Sequence, residues 1–373
     1  MKKTLGIYIH IPFCVSKCRY CDFCSFAGKG AEEISNYVSE LCRRIASAEA
    51  DGYLVDTVYF GGGTPSLMAA CDVERIISAL SGAFCIDKGA EITLECNPAT
   101  ADEQYFKDVR ALGVNRLSMG LQSAVDGELA LLGRAHGVDG FVKTYSDARA
   151  AGFDNISADL MYGIPDQTSE SLLYSARFLA DLSPEHISAY GLTVESGTYF
   201  DKHRNELSLA DGDGQYEMYI LLSEYLASRG YEKYEISNFA RDGKVSRHNL
   251  RYWRCGEYLG FGVAAHSYFG GKRFGNSRDV SAFLSGADMR EESVDIDADE
   301  RRREFVLLGL RLSRGIDACE YKALFGRDFP TDHAVIKRYV SAGLMRYDGH
   351  SLNFTDKGFF VSNAIISEIL DLI

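Results

Sequence analysis

The feature that most constrains this 373-residue chain is an alternation of short β-rich runs with longer helical runs, sustained from about Leu5 to Ala265. "LGIYIHI" reads as a buried strand, "AEEISNYVSELCRRIASAEA" has apolar residues at helical spacing, and "VDTVYF" is a second strand ending in Gly61–Gly63, followed by the helix "DVERIISALSGAF". The same pairing recurs with "EITLECN" and "ADEQYFKDVRALG", "VNRLSMG" and "VDGFVKTYSDARAAG", "NISADLMYG" and "SESLLYSARFLADL", and "HISAYGL" and "GQYEMYILLSEYLASRG". Alternation this regular implies βαβ units and a parallel sheet. At least six units fit, so the expectation is an α/β fold: a partial (β/α)6 TIM-like barrel whose chemistry sits at the C-terminal ends of the strands.

Length and composition set the rest of the frame. One large domain plus a smaller one is the natural division for 373 residues. The reading places a barrel at 1–285, a charged linker at 286–300 ("GADMREESVDIDADERRREF" spans it), and a helical, winged-helix-like α+β domain at 301–373. In that last part "LMRYD" and "SLNFT" suggest a small hairpin around Gly349. No apolar run approaches the roughly eighteen residues of a membrane span. The opening "MKKTLGIYIHIPFC" has no small-residue cleavage site and runs straight into cysteines, so no signal peptide is expected. Ten cysteines without an export signal point to a reducing cytoplasm, where clustered thiols bind metal or react. A net charge of −13 argues against a nucleic-acid partner. The C-terminal part, with 12 Lys/Arg against 15 Asp/Glu from Arg290 onward, is no exception.

Four cysteines fall within eleven residues: Cys14, Cys18, Cys21 and Cys24. Zinc usually takes two ligand pairs from separate turns, which one short loop does not easily provide. The spacing of Cys14, Cys18 and Cys21 suits three thiolates on three corners of a [4Fe–4S] cube, with one iron left open. Cys24 is either a spare thiol or a labile fourth ligand, and Cys18, Cys21 and Cys24 form an alternative CxxCxxC. After the second strand, "GGGTP" (Gly61–Pro65) is at minimum a glycine-rich turn, and it lets backbone approach a bound ligand closely. Glu95 ends the third strand inside an apolar run, where a carboxylate needs a partner. Gln122, Arg134 and Asp159 recur at or just after later strand ends. Taken singly they are a turn amide, a surface cation and a helix cap; on one rim they make a polar site.

The cysteine loop after the first strand of a βα array resembles the radical S-adenosylmethionine (SAM) superfamily. "YIHIPFCVSKCRYCDF", "GGGTPS", "SMGLQS", "DLMYGIPDQT" and "SRHNLRYW…YLGFGVAAHS" are similar to its oxygen-independent coproporphyrinogen III oxidase group, over most of the chain. The resemblance implies a [4Fe–4S] cluster on Cys14, Cys18 and Cys21, with Tyr20 by the adenine of SAM, which yields a 5′-deoxyadenosyl radical. It implies that Tyr8, Gly62 and Glu95 contact the cluster-bound SAM, and that Gly63, Thr64, Gln122, Arg134 and Asp159 match the residues that hold a second SAM in the oxidase. Thr193 and His266 lie where the family closes the adenosyl pocket.

Within the group, Asp22-Phe23 after Cys21, only thirteen residues ahead of Cys14, and "HNLRYW" resemble the HemW-type heme chaperones rather than the decarboxylating oxidase. The implied partners are then heme or another tetrapyrrole, a heme-receiving protein, and a flavodoxin- or ferredoxin-type electron donor. The oxidase, and a radical enzyme that modifies heme, are the alternatives. His248, His266 and Cys255 are the candidate heme ligands.

Overall fold

The computed structural model describes residues 3–373. Six parallel strands build the barrel: β1 (Lys3–Ile11), β2 (Tyr53–Gly62), β3 (Ile86–Cys96), β4 (Arg116–Gln122), β5 (Ile156–Tyr162) and β6 (His186–Gly191). The connecting helices are α1 (Ala31–Ala46), α2 (Ala70–Ala83), α3 (Glu103–Ala111), α4 (Val138–Ala150) and α5 (Ser169–Leu182); α6 (Gly212–Ser228) follows β6. The α/β partial barrel expected from the alternation is therefore the fold. The sheet is open and longer than six strands. Tyr258–Phe261 pairs parallel to the outer edge of β1, and His266–Phe269, Lys272–Asn276 and Arg290–Asp295 extend it antiparallel. At the other end Asn238–Ala240 and Glu232–Lys233 follow β6.

Local chemistry explains the elements. In α1 the buried residues Ile34, Tyr37, Val38, Leu41 and Ile45 fall on one stripe at helical spacing. Asp102, Thr168 and Asp211 cap α3, α5 and α6, accepting from the N–H groups of Tyr105, Ser171 and Gly214. The strands alternate with period two. Ile7, Ile9, Phe60, Leu94, Leu117 and Leu160 are fully buried and belong to the main core. Burying each stabilises the fold by on the order of 2 kcal/mol.

The intervening residues occupy the opposite face and, Met161 apart, are polar or glycine. Tyr8, Tyr59, Thr93 and Arg116 stand opposite one another on β1–β4, and Glu95, Ser118, Ser157 and His186 on β3–β6. A barrel of this kind is usually filled with Val, Ile and Leu; this one has a polar lumen.

The segment 286–300, read as a linker, is not structureless. Arg290–Asp295 is the edge strand of the large sheet, paired with Lys272–Asn276. Every residue in it is exposed, so the strand is held by its backbone ladder and by surface contacts of Arg290 with Phe274 and Asp295 with Lys272, and its charged sequence conceals the pairing. Beyond it, helices Ala298–Gly309, Ala318–Phe325 and Ala334–Ser341 pack on a three-stranded sheet that contains the expected hairpin, Met345–Tyr347 with Ser351–Phe354. Val306, Tyr321, Ile336, Leu352 and Ile365 form its core, which also takes in Tyr219 of α6.

Candidate functional site

The C-terminal ends of β2–β6 and the cysteine loop enclose a cavity of about 380 Å³. Cys14, Cys18, Tyr20, Cys21, Gly62, Gly63, Thr64, Glu95, Gln122, Arg134, Asp159 and Thr193 all line it, so twelve residues singled out from the sequence meet in one place. Cys14 and Cys18 each have a polar side chain at the thiol: Thr64 Oγ1 donates to Cys14 Sγ and Arg134 Nη1 to Cys18 Sγ, both at 3.6 Å. The other terminal nitrogen of Arg134 is used within the wall, since Nη2 donates to Asn97 Oδ1 at 2.7 Å and to Gly120 O at 2.8 Å. Asn97 Nδ2 in turn donates to Thr64 Oγ1 at 2.8 Å. One network thus ties β2, β3 and β4 to the cysteine loop.

The glycines are required by close approach. A Cβ on Gly63 would lie 2.6 Å from Phe13 O, and one on Gly120 would lie 2.7 Å from Gln122 Nε2 and 2.9 Å from Arg134. Gly62 has φ +113°, and its Cβ would strike the His10 ring. Gln122 sits at φ +73°, a left-handed conformation uncommon for a side-chain-bearing residue. Such strain is found where surrounding structure over-determines the backbone, typically at binding sites.

Glu95 accepts from Tyr59 Oη at 2.8 Å and from the Gly62 N–H at 3.1 Å. Burial pushes its carboxyl up to about 7, against the lowering effect of the Tyr59 hydrogen bond. Burial likewise pushes Asp159 up to about 6, opposed by the positive charge of Arg134. Burial raises the Cys21 thiol to about 11, so a bare thiolate is disfavoured until a cation takes the proton's place. Among the described residues no three His, Cys, Asp or Glu side chains converge on a single-ion site. Cys14, Cys18 and Cys21 instead line a common cavity beside the glycine loop. That donor set fits a multi-iron cluster, whose thiolates bind separate corners.

Two expected residues lie elsewhere. Tyr8 and His266 line a second cavity of about 390 Å³, which shares the Asp22–Phe23 segment with the first. His266 opens the strand His266–Phe269, beyond β1 on the side away from β2–β6, so it does not close the main cavity with Thr193. Tyr8 stands behind the glycine loop, its ring 3.0 Å from where a Gly61 Cβ would be, and its hydroxyl lies 3.1 Å from His10 Nδ1. Cys24 also lines the second cavity, apart from the other three cysteines, and its carbonyl meets His10 Nε2 at 2.9 Å.

The heme-ligand candidates differ sharply in availability. Both ring nitrogens of His248 are engaged, Nδ1 with Thr57 Oγ1 at 2.9 Å and Nε2 with Tyr252 Oη at 2.7 Å; with the ring 1 % exposed, it is a core histidine rather than a free ligand. Cys255 lines a small cavity of about 230 Å³ against the C-terminal domain. His266 is exposed. Sequence reasoning missed Asn97, Tyr59 and Arg116. Asn97 was findable, because period two along "LECNP" puts it on the same face as Glu95.

Comparison with known proteins agrees with this geometry. The profile of the Radical SAM superfamily matches residues 8–179, and that of the HemN C-terminal domain matches 296–361. The heme chaperone HemW of Mycobacterium tuberculosis is 32% identical over 99% of this chain and 95% of its own length. HemW of Escherichia coli K12 is 33% identical over 98% of each. The structure of coproporphyrinogen III oxidase (HemN) from Escherichia coli superposes with a TM-score of 0.85 at 21% identity, covering all of this chain and 91% of that one, which is a likeness of fold. The chain therefore belongs to the radical SAM superfamily, which implies a [4Fe–4S] cluster and SAM, and within it to the HemW family.

Proposed function

We propose that this protein is a radical SAM heme chaperone: it binds heme, carries a SAM-binding [4Fe–4S] cluster, and delivers the heme to a recipient protein. The observation that carries the cofactor part is the single cavity in which three thiols face the Gly62–Thr64 loop and Glu95. The heme part rests on kinship with the HemW chaperones. In this reading Cys14, Cys18 and Cys21 hold the cluster. The side chains of Thr64 and Arg134 donate to the sulfurs of Cys14 and Cys18, contacts that tune a cluster's potential. The backbone of Gly62 and Gly63 admits the methionine end of SAM, and Glu95 accepts from its ribose hydroxyls. A cluster held by Cys14, Cys18 and Cys21 would supply the reducing electron for SAM cleavage, drawn from a flavodoxin- or ferredoxin-type donor. The enclosing strands and the cysteine loop limit water at that step. Cys24 is a spare thiol.

One observation favours a second reading. Thr64, Gln122, Arg134 and Asp159, the set matching the oxidase's second SAM site, line the same cavity. The test is an anaerobic incubation with SAM, a strong reductant and coproporphyrinogen III, alongside gel filtration with heme. Heme absorbance that tracks the protein, with no protoporphyrinogen formed, is the expected result. Formation of protoporphyrinogen would replace the chaperone by an oxidase.

A further inference from the structure

Below the cavity floor the lumen holds a buried cation that makes no ion pair among the described residues. Arg116, the first residue of β4, is 2 % exposed, and its Nε is buried without a hydrogen-bond partner. Thr93 stands opposite it on β3, fully buried, and its Oγ1 is also unpartnered. Arg116 forms no ion pair among the described residues. The carboxylates around it are engaged elsewhere: Glu95 with Tyr59 and Gly62, Glu91 with the N–H groups of Arg247 and His248, and Asp159 with Tyr190 at 3.5 Å.

A buried guanidinium with no ion pair and an unmade Nε donor carries a cost. An unmade donor beside an unmade hydroxyl, in a polar lumen, calls for ordered water between them. The arrangement has a consequence for the cavity above. A cation bonded directly to Glu95 would occupy the oxygens a ligand needs. A cation one water layer away attracts the carboxylate through a low-dielectric interior and leaves open the lone pairs that Tyr59 and Gly62 do not use.

We infer that Arg116 is a positioning residue for the cofactor: a fixed, water-separated counter-charge in the lumen that favours the anionic forms of Glu95 and Asp159 without bonding to their oxygens. The inference rests on the proposed role of Glu95 in holding SAM. The charge of Arg116 acts on both carboxyls in the lowering direction, against burial. The other titratable groups facing Glu95 are Tyr8, Tyr59, Asp159, Tyr190 and Tyr252, from β1, β2, β5, β6 and the helix Arg247–Trp253. All are acids, so none can replace Arg116. Arg134 stands nearer Asp159 but is taken up by Cys18, Asn97 and Gly120. Around Arg116 itself, burial and its charge hold His186 and His248 neutral.

The experiment is a SAM titration of the anaerobically reconstituted protein over about pH 5 to 8, for the wild type, Arg116→Met, Arg116→Lys and Glu95→Gln. In the wild type, affinity rises with pH as Glu95 ionises. Arg116→Met moves that midpoint up by about one pH unit, an approximately tenfold loss of affinity below it, while Arg116→Lys keeps the wild-type midpoint. In the Glu95→Gln background Arg116→Met shifts the profile much less. Should Arg116→Met fail to fold, Arg116→Gln gives the same comparison with Arg116→Lys. An unmoved midpoint in the charge-removing variant, with normal SAM binding by the wild type, overturns this inference alone. No SAM binding by the wild type overturns the proposed function and this inference with it.

Discussion

The two faces of the same strands do different work. On β2 and β3, Phe60 and Leu94 are fully buried in the apolar core, whereas Tyr59 and Glu95, their chain neighbours, meet in the lumen through a 2.8 Å hydrogen bond. The apolar face stabilises the fold. The polar face weakens it, because Glu95, Asp159 and Arg116 are buried ionisable groups. Stability and ligand binding are therefore carried by alternate residues, one position apart, and substitutions should separate them.

The largest effect is expected on the apolar face. Phe60→Ala should lower unfolding free energy by about 3–5 kcal/mol, the usual loss for a buried aromatic, read by urea denaturation. The folded fraction should still bind SAM normally. A loss of SAM affinity larger than the loss of stability would break the separation. On the polar face, Glu95→Ala should weaken SAM binding by about 1–3 kcal/mol through orphaned hydrogen-bonding groups, seen by calorimetric titration. Its stability should stay the same or rise, and a severely destabilised Glu95→Ala would contradict the division.

The pH dependence sharpens the contrast, because the two properties should run in opposite directions. Glu95 is raised to about 7 in the folded state from an unfolded value of about 4. Its neutral form is thus favoured by folding, so its contribution to stability is full below the unfolded value and is lost as pH rises through about 7. Melting temperature of the metal-free protein should fall over that window, and Glu95→Gln should flatten the fall. SAM affinity, which needs the carboxylate, should rise over the same window. Parallel rather than opposed trends would count against the role of Glu95. The smallest effect is expected for Cys24→Ala, since Cys24 lines the other cavity: iron and sulfide content should equal that of the wild type.

The apolar face was legible in the sequence because period-two strands and period-3.6 helices state it directly. The cavity rim was legible where residue type is unusual for its setting, as with three spaced cysteines, three consecutive glycines, or a Glu in "LECNP". Arg116 was not, since a charged residue opening "RLSMG" reads as a solvent-facing strand end, and only the strand order turns it into the lumen. The edge strand Arg290–Asp295 was concealed because its side chains bury nothing. The side of β1 on which His266 falls depends on a crossover that puts Tyr258–Phe261 beside β1, a long-range choice that local pattern does not encode.

The central claim is that Cys14, Cys18 and Cys21 form one cofactor-binding wall with the strand ends, and that Cys24 does not. Its most direct test is iron and sulfide content, with the electron paramagnetic resonance of the reduced protein before and after SAM, on the four single Cys→Ala variants. The account predicts that Cys14→Ala, Cys18→Ala and Cys21→Ala lose the [4Fe–4S] cluster, and that Cys24→Ala keeps both the cluster and a spectrum that SAM perturbs. Loss of iron in Cys24→Ala with retention in Cys14→Ala would contradict it.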